Sequence, residues 1–198
     1  MSPGGRPPLT HNVVAFNPAG GAPVLAGVVL DTSFVADALL VGQPRHAPCL
    51  GFLSFLAVWG TTVYFNRLLE LELAEVAYKV AIKVRFGTRR ARQMRTDGRA
   101  LRRASRLADR LAPNWEGALA NFSWARAEIE DVVDELPALM RRGLASYDAV
   151  HAATALKLGV GHLVTTDSGF GLVRQPDLTI VTDQSLLVAC RRHRKRSI

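Results

Sequence analysis

The chain has 198 residues, 48% of them hydrophobic and 21% charged, with a net charge of +8. That is enough for one well-buried domain and too little for two. No run of 18 apolar residues occurs, and the start "MSPGGRPPLTHNVVAFNPAGG" has no charged segment followed by an apolar one, so neither a membrane span nor a secretory signal is expected.

The basic charge is concentrated. Residues 83–110 hold eleven Lys or Arg against two Asp, a local +9, and the tail "RRHRKRSI" adds +5. Together these blocks carry +14 against a net +8, so the rest of the chain stands at −6. Two basic blocks on an acidic remainder suit a scaffold with electropositive grips for a phosphate backbone. The alternative is a solvated helix face and a frayed end. Cys49 and Cys190 have no paired spacing and no accompanying Cys/His pattern, which suggests free thiols in a reducing cytoplasm.

In chain order, Pro and Gly mark residues 1–26 as a flexible arm. "GVVLDTSFVADALL" (27–40) starts as an apolar strand, meets Asp31, and continues with Phe34, Val35, Ala38 and Leu39 at helical spacing. Asp31 is therefore a strand-end residue or an N-cap. "CLGFLSFLAVWG" (49–60) predicts a buried helix closed by Gly60, with a dimer face as the alternative. "TTVYF" predicts a strand and "NRLLELELAEVAYKVAIK" an amphipathic helix.

The basic stretch keeps Met94, Leu101, Ala104, Leu107, Ala108 and Leu111 roughly on one face, which predicts one or two helices interrupted near Gly98. A strand around "ALANFSWARAEI" and a short helix around "IEDVVDELPALM" follow. "SYDAVHAATALKLG" (146–159) is the clearest helix, with Ser146 suited to the N-cap, Asp148 to the first turn and Gly159 to the stop. "HLVTTD" and "LTIVTD" predict two further strands.

Strands alternating with helices imply a mostly parallel sheet covered on both faces. Ligands of such sheets bind beyond the carboxyl ends of the strands. Asp31 and Asp167 both lie at such ends, Asp148 at the mouth of a helix, and a further acid can come from "ELELAE". Singly, each has an ordinary explanation as a cap or turn residue. Asp183 is best explained that way. His151 fits a packed or supporting histidine better than a ligand. Arg141 and Arg142 read as a solvated loop, and Trp59, Trp115 and Trp124 as core or interface.

Four stretches, "VVLDTSFV", "NRLLELELAEV", "SYDAVHAATAL" and "LVTTDSGF", in that order, resemble the PIN-domain ribonucleases and among them the VapC-type toxins. The resemblance runs from about Val28 to Val181. It implies a three-layer αβα domain over 27–190 with a mostly parallel central sheet; the charge pattern adds a basic helical insert over 83–112 and, outside the resemblance, a basic tail over 191–198. It also implies Asp31, Asp148 and Asp167 as catalytic, metal-holding acids, with Ser33 and Thr165 as hydroxyls that order them. Asn66 stands where the family has Ser or Thr, which makes Glu72 the fourth acid, with Glu70 and Glu75 as competitors. Glu72 and Glu75 share a helix face while Glu70 lies about 200° from Glu72, so one side alone faces the crevice.

Four crowded carboxylates call for a hard cation, and Mg²⁺ or Mn²⁺ suits oxygen ligands. The implied activity is metal-dependent cleavage of RNA, leaving 5′-phosphate and 3′-hydroxyl ends, in a cytoplasmic homodimer held in check by a small antitoxin. Arg99, Arg102, Arg103 and Arg106 are the expected grips on RNA. The rivals are a PIN-fold RNA-binding or RNA-processing protein without a toxin role, a non-catalytic PIN-fold scaffold, and an aspartyl phosphatase. The phosphatase would have a second Asp two residues after the first, where Ser33 stands.

Overall fold

The structure, a computed structural model, describes residues 13–16, 25–87, 96–173 and 175–193. Its centre is a six-stranded sheet of β1 (Val13–Phe16), β2 (Gly27–Leu30), β3 (Thr62–Asn66), β4 (Trp124–Ala127), β5 (His162–Val164) and β6 (Thr179–Asp183). The strand order is β1-β6-β5-β2-β3-β4, and every pair is parallel. The chain leaves β2 toward β3 and leaves β5 toward β6. The sheet therefore switches direction between β2 and β5, where Asp31 and Asp167 emerge.

The inner strands β2, β5 and β6 are short apolar runs because both faces are covered, whereas the edge strand β4 is mostly exposed. Val28 and Leu30 pack into one core while the intervening Val29 packs into the other, the alternation of a pleated strand. The first core holds α1 (Thr32–Leu39), α2 (His46–Val58), α3 (Leu68–Phe86) and α4 (Gly98–Leu119). The second holds α5 (Leu136–Met140), α6 (Ser146–Lys157) and α7 (Gln184–His193). The result is the expected three-layer αβα architecture. No helix among the described residues is long and apolar enough to cross a membrane.

Several local expectations change. The arm expected over 1–26 contains β1, which pairs with β6 at Val13↔Ile180 and stacks Phe16 on Phe52 of α2 with ring centroids 4.5 Å apart. Four residues flanked by Pro and Gly give no readable period, so the strand was invisible locally. Residues 1–12 and 17–24 lie outside the described residues, as do 88–95 and 194–198. The described part of the basic stretch falls at the end of α3 and in the first half of α4; Met94 lies outside the described residues. Asp97 caps α4 by accepting a 2.8 Å hydrogen bond from the Ala100 amide. α4 then runs through Pro113 to bury Trp115 edge-on against Phe65 at 5.2 Å.

Helix α6 starts at Ser146, but its N-cap is Ala145 and no side chain caps it. It ends as expected, with Gly159 in the left-handed region at φ 65°. Of the three tryptophans, Trp115 is core, whereas Trp59 and Trp124 are exposed.

Candidate metal centre

Asp31 ends β2 and caps α1, so its backbone belongs to the sheet while its carboxylate sits over the switch point. The Asp31 amide donates to the Val164 carbonyl at 3.0 Å, which locks it to β5. Its Oδ2 accepts from the Ser33 amide at 3.3 Å, from the Ser33 hydroxyl, and from the Thr165 hydroxyl at 2.7 Å. None of these bonds uses Oδ1. Ser33 Oγ also accepts from the Thr166 amide at 3.0 Å, and Thr165 Oγ1 from the Asp167 amide at 2.9 Å. Those two hydroxyls tie the ends of β2 and β5 into one unit and aim Asp167 beyond it. Asp167 in turn accepts from the Gly169 amide at 2.7 Å, which folds the following turn.

The opposite wall is α3. Asn66, buried at the end of β3, accepts from the Leu68 amide at 3.0 Å and so braces the turn into α3, whose N-cap is Arg67. One turn in, Glu72 meets the site. Its Oε2 accepts from the Thr32 hydroxyl and lies 2.9 Å from His151 Nε2. Glu70 points away and pairs with Arg126 at 3.4 Å. Glu75 is on the rim, 3.8 Å from Lys79.

Helix α6 supplies Asp148 and, three residues on, His151. That spacing puts both on one helix face. His151 is fully buried, and its Nε2 lies 3.5 Å from Asp31 Oδ1. Ligand atoms of Asp31, Glu72 and His151 all fall within 4.8 Å of one another. A cavity of about 720 Å³ is lined by Asp31, Glu72, Asp148 and Asp167 together. All four acids singled out in the sequence thus line one pocket. His151 joins them more intimately than its sequence position suggested, and the Asp-x-x-His spacing on a helix was the available signal.

The electrostatics are those of an acidic site short of cations. Burial, then the neighbouring charges of Asp31 and Asp167, push Asp148 from 3.8 up to about 6. Burial would raise Glu72 too, but the hydrogen bonds from His151 and Thr32 outweigh it and hold its carboxyl below the usual range. Burial depresses His151, yet its bond to Glu72 and the charges of Asp31, Glu72 and Asp148 prevail and raise it. A divalent cation would remove the repulsion on Asp148, and the donors are oxygens with one imidazole, so the residues fit Mg²⁺ or Mn²⁺.

The remaining candidates lie elsewhere. Asp183 caps α7 through the Ser185 amide at 2.9 Å. Asp37 is a buried acid that sequence reasoning did not single out; it pairs with Arg45 at 3.5 Å. Arg141 and Arg142 are exposed, as are Arg99, Arg102, Arg103 and Arg106 along α4.

Four carboxylates on one pocket at the switch point of a parallel sheet define a candidate divalent-cation centre in an αβα domain. The PIN domain family matches residues 28–175, and the chain belongs to that family, whose members are nucleases. No curated protein matches the chain. Among solved structures, VapBC2 from Rickettsia felis bound to a DNA fragment from their promoter is similar at 15% identity and a TM-score of 0.48, over 79% of this chain and 98% of that one.

Proposed function

We propose that the protein is a metal-dependent endoribonuclease acting as the toxin of a type II toxin–antitoxin pair. The observation that carries the reading is the convergence of Asp31, Glu72, Asp148 and Asp167 from four separate elements onto one pocket. The toxin assignment rests further on the VapC-like motifs "VVLDTSFV", "SYDAVHAATAL" and "LVTTDSGF".

In this reading the four carboxylates hold Mg²⁺ or Mn²⁺. When bound, such an ion lowers the pKa of water and neutralises charge on a phosphodiester undergoing in-line hydrolysis. The protein's own part is preorganisation. Ser33 and Thr165 aim Asp31 by occupying Oδ2, and Thr32 helps keep Glu72 ionised. His151 supplies a buried donor that holds Glu72 against Asp31. Arg99, Arg102, Arg103 and Arg106 hold RNA phosphates, with the basic tail. A small antitoxin blocks the pocket, and the active form is a cytoplasmic homodimer with 27–190 as its nuclease domain.

The test is cleavage of end-labelled RNA with Mg²⁺, with Mn²⁺ and with EDTA, together with growth on expression in a bacterial host. Cation-dependent cleavage and growth arrest, both lost in Asp167→Asn, are expected. Cleavage undiminished in EDTA, or equal in Asp167→Asn, refutes the metal site. Cleavage without growth arrest leaves the nuclease but refutes the toxin role.

A further inference from the structure

The acids account for only part of the pocket. Its rim carries two large apolar side chains, each one residue before an acid. Tyr147 precedes Asp148 in the first turn of α6 and is 59% exposed; Leu71 precedes Glu72 on α3 and is 63% exposed. Among the described residues, Tyr147 has no hydrogen-bonding partner and no aromatic neighbour. The fold gains little from either side chain, because both remain in water. Isolated exposed apolar residues are common. These two instead share one cavity with all four acids and with the exposed Lys79.

In the nuclease reading a bound cation would engage the scissile phosphate, and the four acids leave the phosphates on either side of it little else to hold than Lys79. Further affinity close to the acids is best supplied by an uncharged part of the nucleic acid. A nucleobase offers a flat π-face, and stacking on an aromatic ring is insensitive to charge and tolerant of sequence. The cavity, about 720 Å³, falls in the range of sites that enclose a small ligand, on the order of 300–1,000 Å³. It suits one or two nucleotides and not a duplex. A base inside a duplex already has both faces covered, so only an unpaired base can reach the ring.

We infer that Tyr147, with Leu71 on the facing helix, is a nucleobase subsite that stacks one unpaired base beside the phosphate to be cut. This rests on the nuclease reading above and adds to it the side chain that holds a base beside the cut. Because Tyr147 and Asp148 are consecutive, the stacked base belongs to a nucleotide flanking the scissile phosphate. The phenol hydroxyl is not required for stacking, so phenylalanine should serve in its place.

The test uses the full chain with Mn²⁺ and a short RNA in which a cut has been mapped, with each flanking base removed in turn to leave an abasic sugar. The readout is kcat/KM. For the wild type, loss of one particular flanking base should lower kcat/KM roughly 5- to 150-fold, the range of one stacked base. Tyr147→Ala should lower cutting of the intact RNA by a similar factor and be indifferent to that abasic site. Tyr147→Phe should behave as wild type. A matched DNA strand should lose the same factor in Tyr147→Ala if the base alone is held, and the RNA duplex should be a poor substrate for both proteins.

Equal cutting of the intact RNA by wild type and Tyr147→Ala overturns the subsite while the nuclease reading stands. So does an Ala variant that loses activity yet still discriminates against the abasic strand, since its defect is then in the fold. A wild type that cuts no strand removes the nuclease reading and the subsite with it.

Discussion

Replacing Asp148 by Asn should stabilise the metal-free protein and remove its response to metal. Asp148 is the acid most disfavoured as an anion, pushed from 3.8 to about 6 by burial and then by Asp31 and Asp167. Each tenfold change in proton affinity is about 1.4 kcal/mol, so the ionised form costs the folded state about 3 kcal/mol. Asp148 is partly open to solvent, and screening reduces that to about 1–2 kcal/mol. The same carboxylate complements the N-terminal end of α6, worth about 0.3–1 kcal/mol, which Asn forfeits.

The net expectation is a gain of about 1 kcal/mol at pH 7.5, or about 2–4 °C in Tm for a domain of this size. The sign follows from linkage. Below pH 3.8 the group is protonated in both states and the penalty is absent. It grows as pH rises to about 6 and is constant above. The stabilisation by Asn should therefore be present at pH 7.5 and shrink toward pH 4. Thermal melts in EDTA at both pH values, repeated with Mn²⁺, test this. Wild type should rise with Mn²⁺ and Asp148→Asn should not. A metal-free Asp148→Asn that melts at or below wild type at pH 7.5 refutes the electrostatic account of the pocket.

Other perturbations separate the roles of neighbouring residues. Glu72→Gln should abolish cleavage with the fold intact, whereas Glu70→Gln loses one exposed pair with Arg126, should cost at most about 1 kcal/mol, and should cut normally; a dead Glu70→Gln would reassign the acid. Changing Arg99, Arg102, Arg103 and Arg106 to Ser should weaken RNA binding and flatten its salt dependence by roughly 0.7 for each phosphate no longer neutralised, up to about 3 in log–log slope. An unchanged slope in a filter-binding titration would return α4 to a solvated surface. Gly171→Ala places a Cβ 2.1 Å from the Cys190 carbonyl of α7, where backbone meets backbone. It should cost at least about 1–3 kcal/mol by denaturant melt, and a silent variant would show that α7 is free to move aside.

Local pattern was sufficient for much of this protein. An apolar run ended by Asp31, another ended by Asp167, and a helix opening with Asp148 are short-range signals, set by strand period, capping chemistry and helical spacing. Given a parallel sheet, the rule that ligands lie at strand carboxyl ends sent Asp31 and Asp167 to one crevice, and the resemblance to PIN domains added Asp148. Other features depended on which elements become neighbours, and that is a property of packing between residues far apart in the chain. β1 exists as a strand because β6 offers it a partner and α2 offers Phe16 a ring, neither of which a four-residue window contains. Helical spacing left Glu72 and Glu75 on one face. Tertiary hydrogen bonds with Thr32 and His151 drew Glu72 into the site, while Glu75 stayed on the rim beside Lys79. His151 was placed beside Asp31 and Glu72 by the docking of α6 between two strand ends and α3. A buried imidazole is held there because two carboxylates from other elements balance the cost of removing it from water.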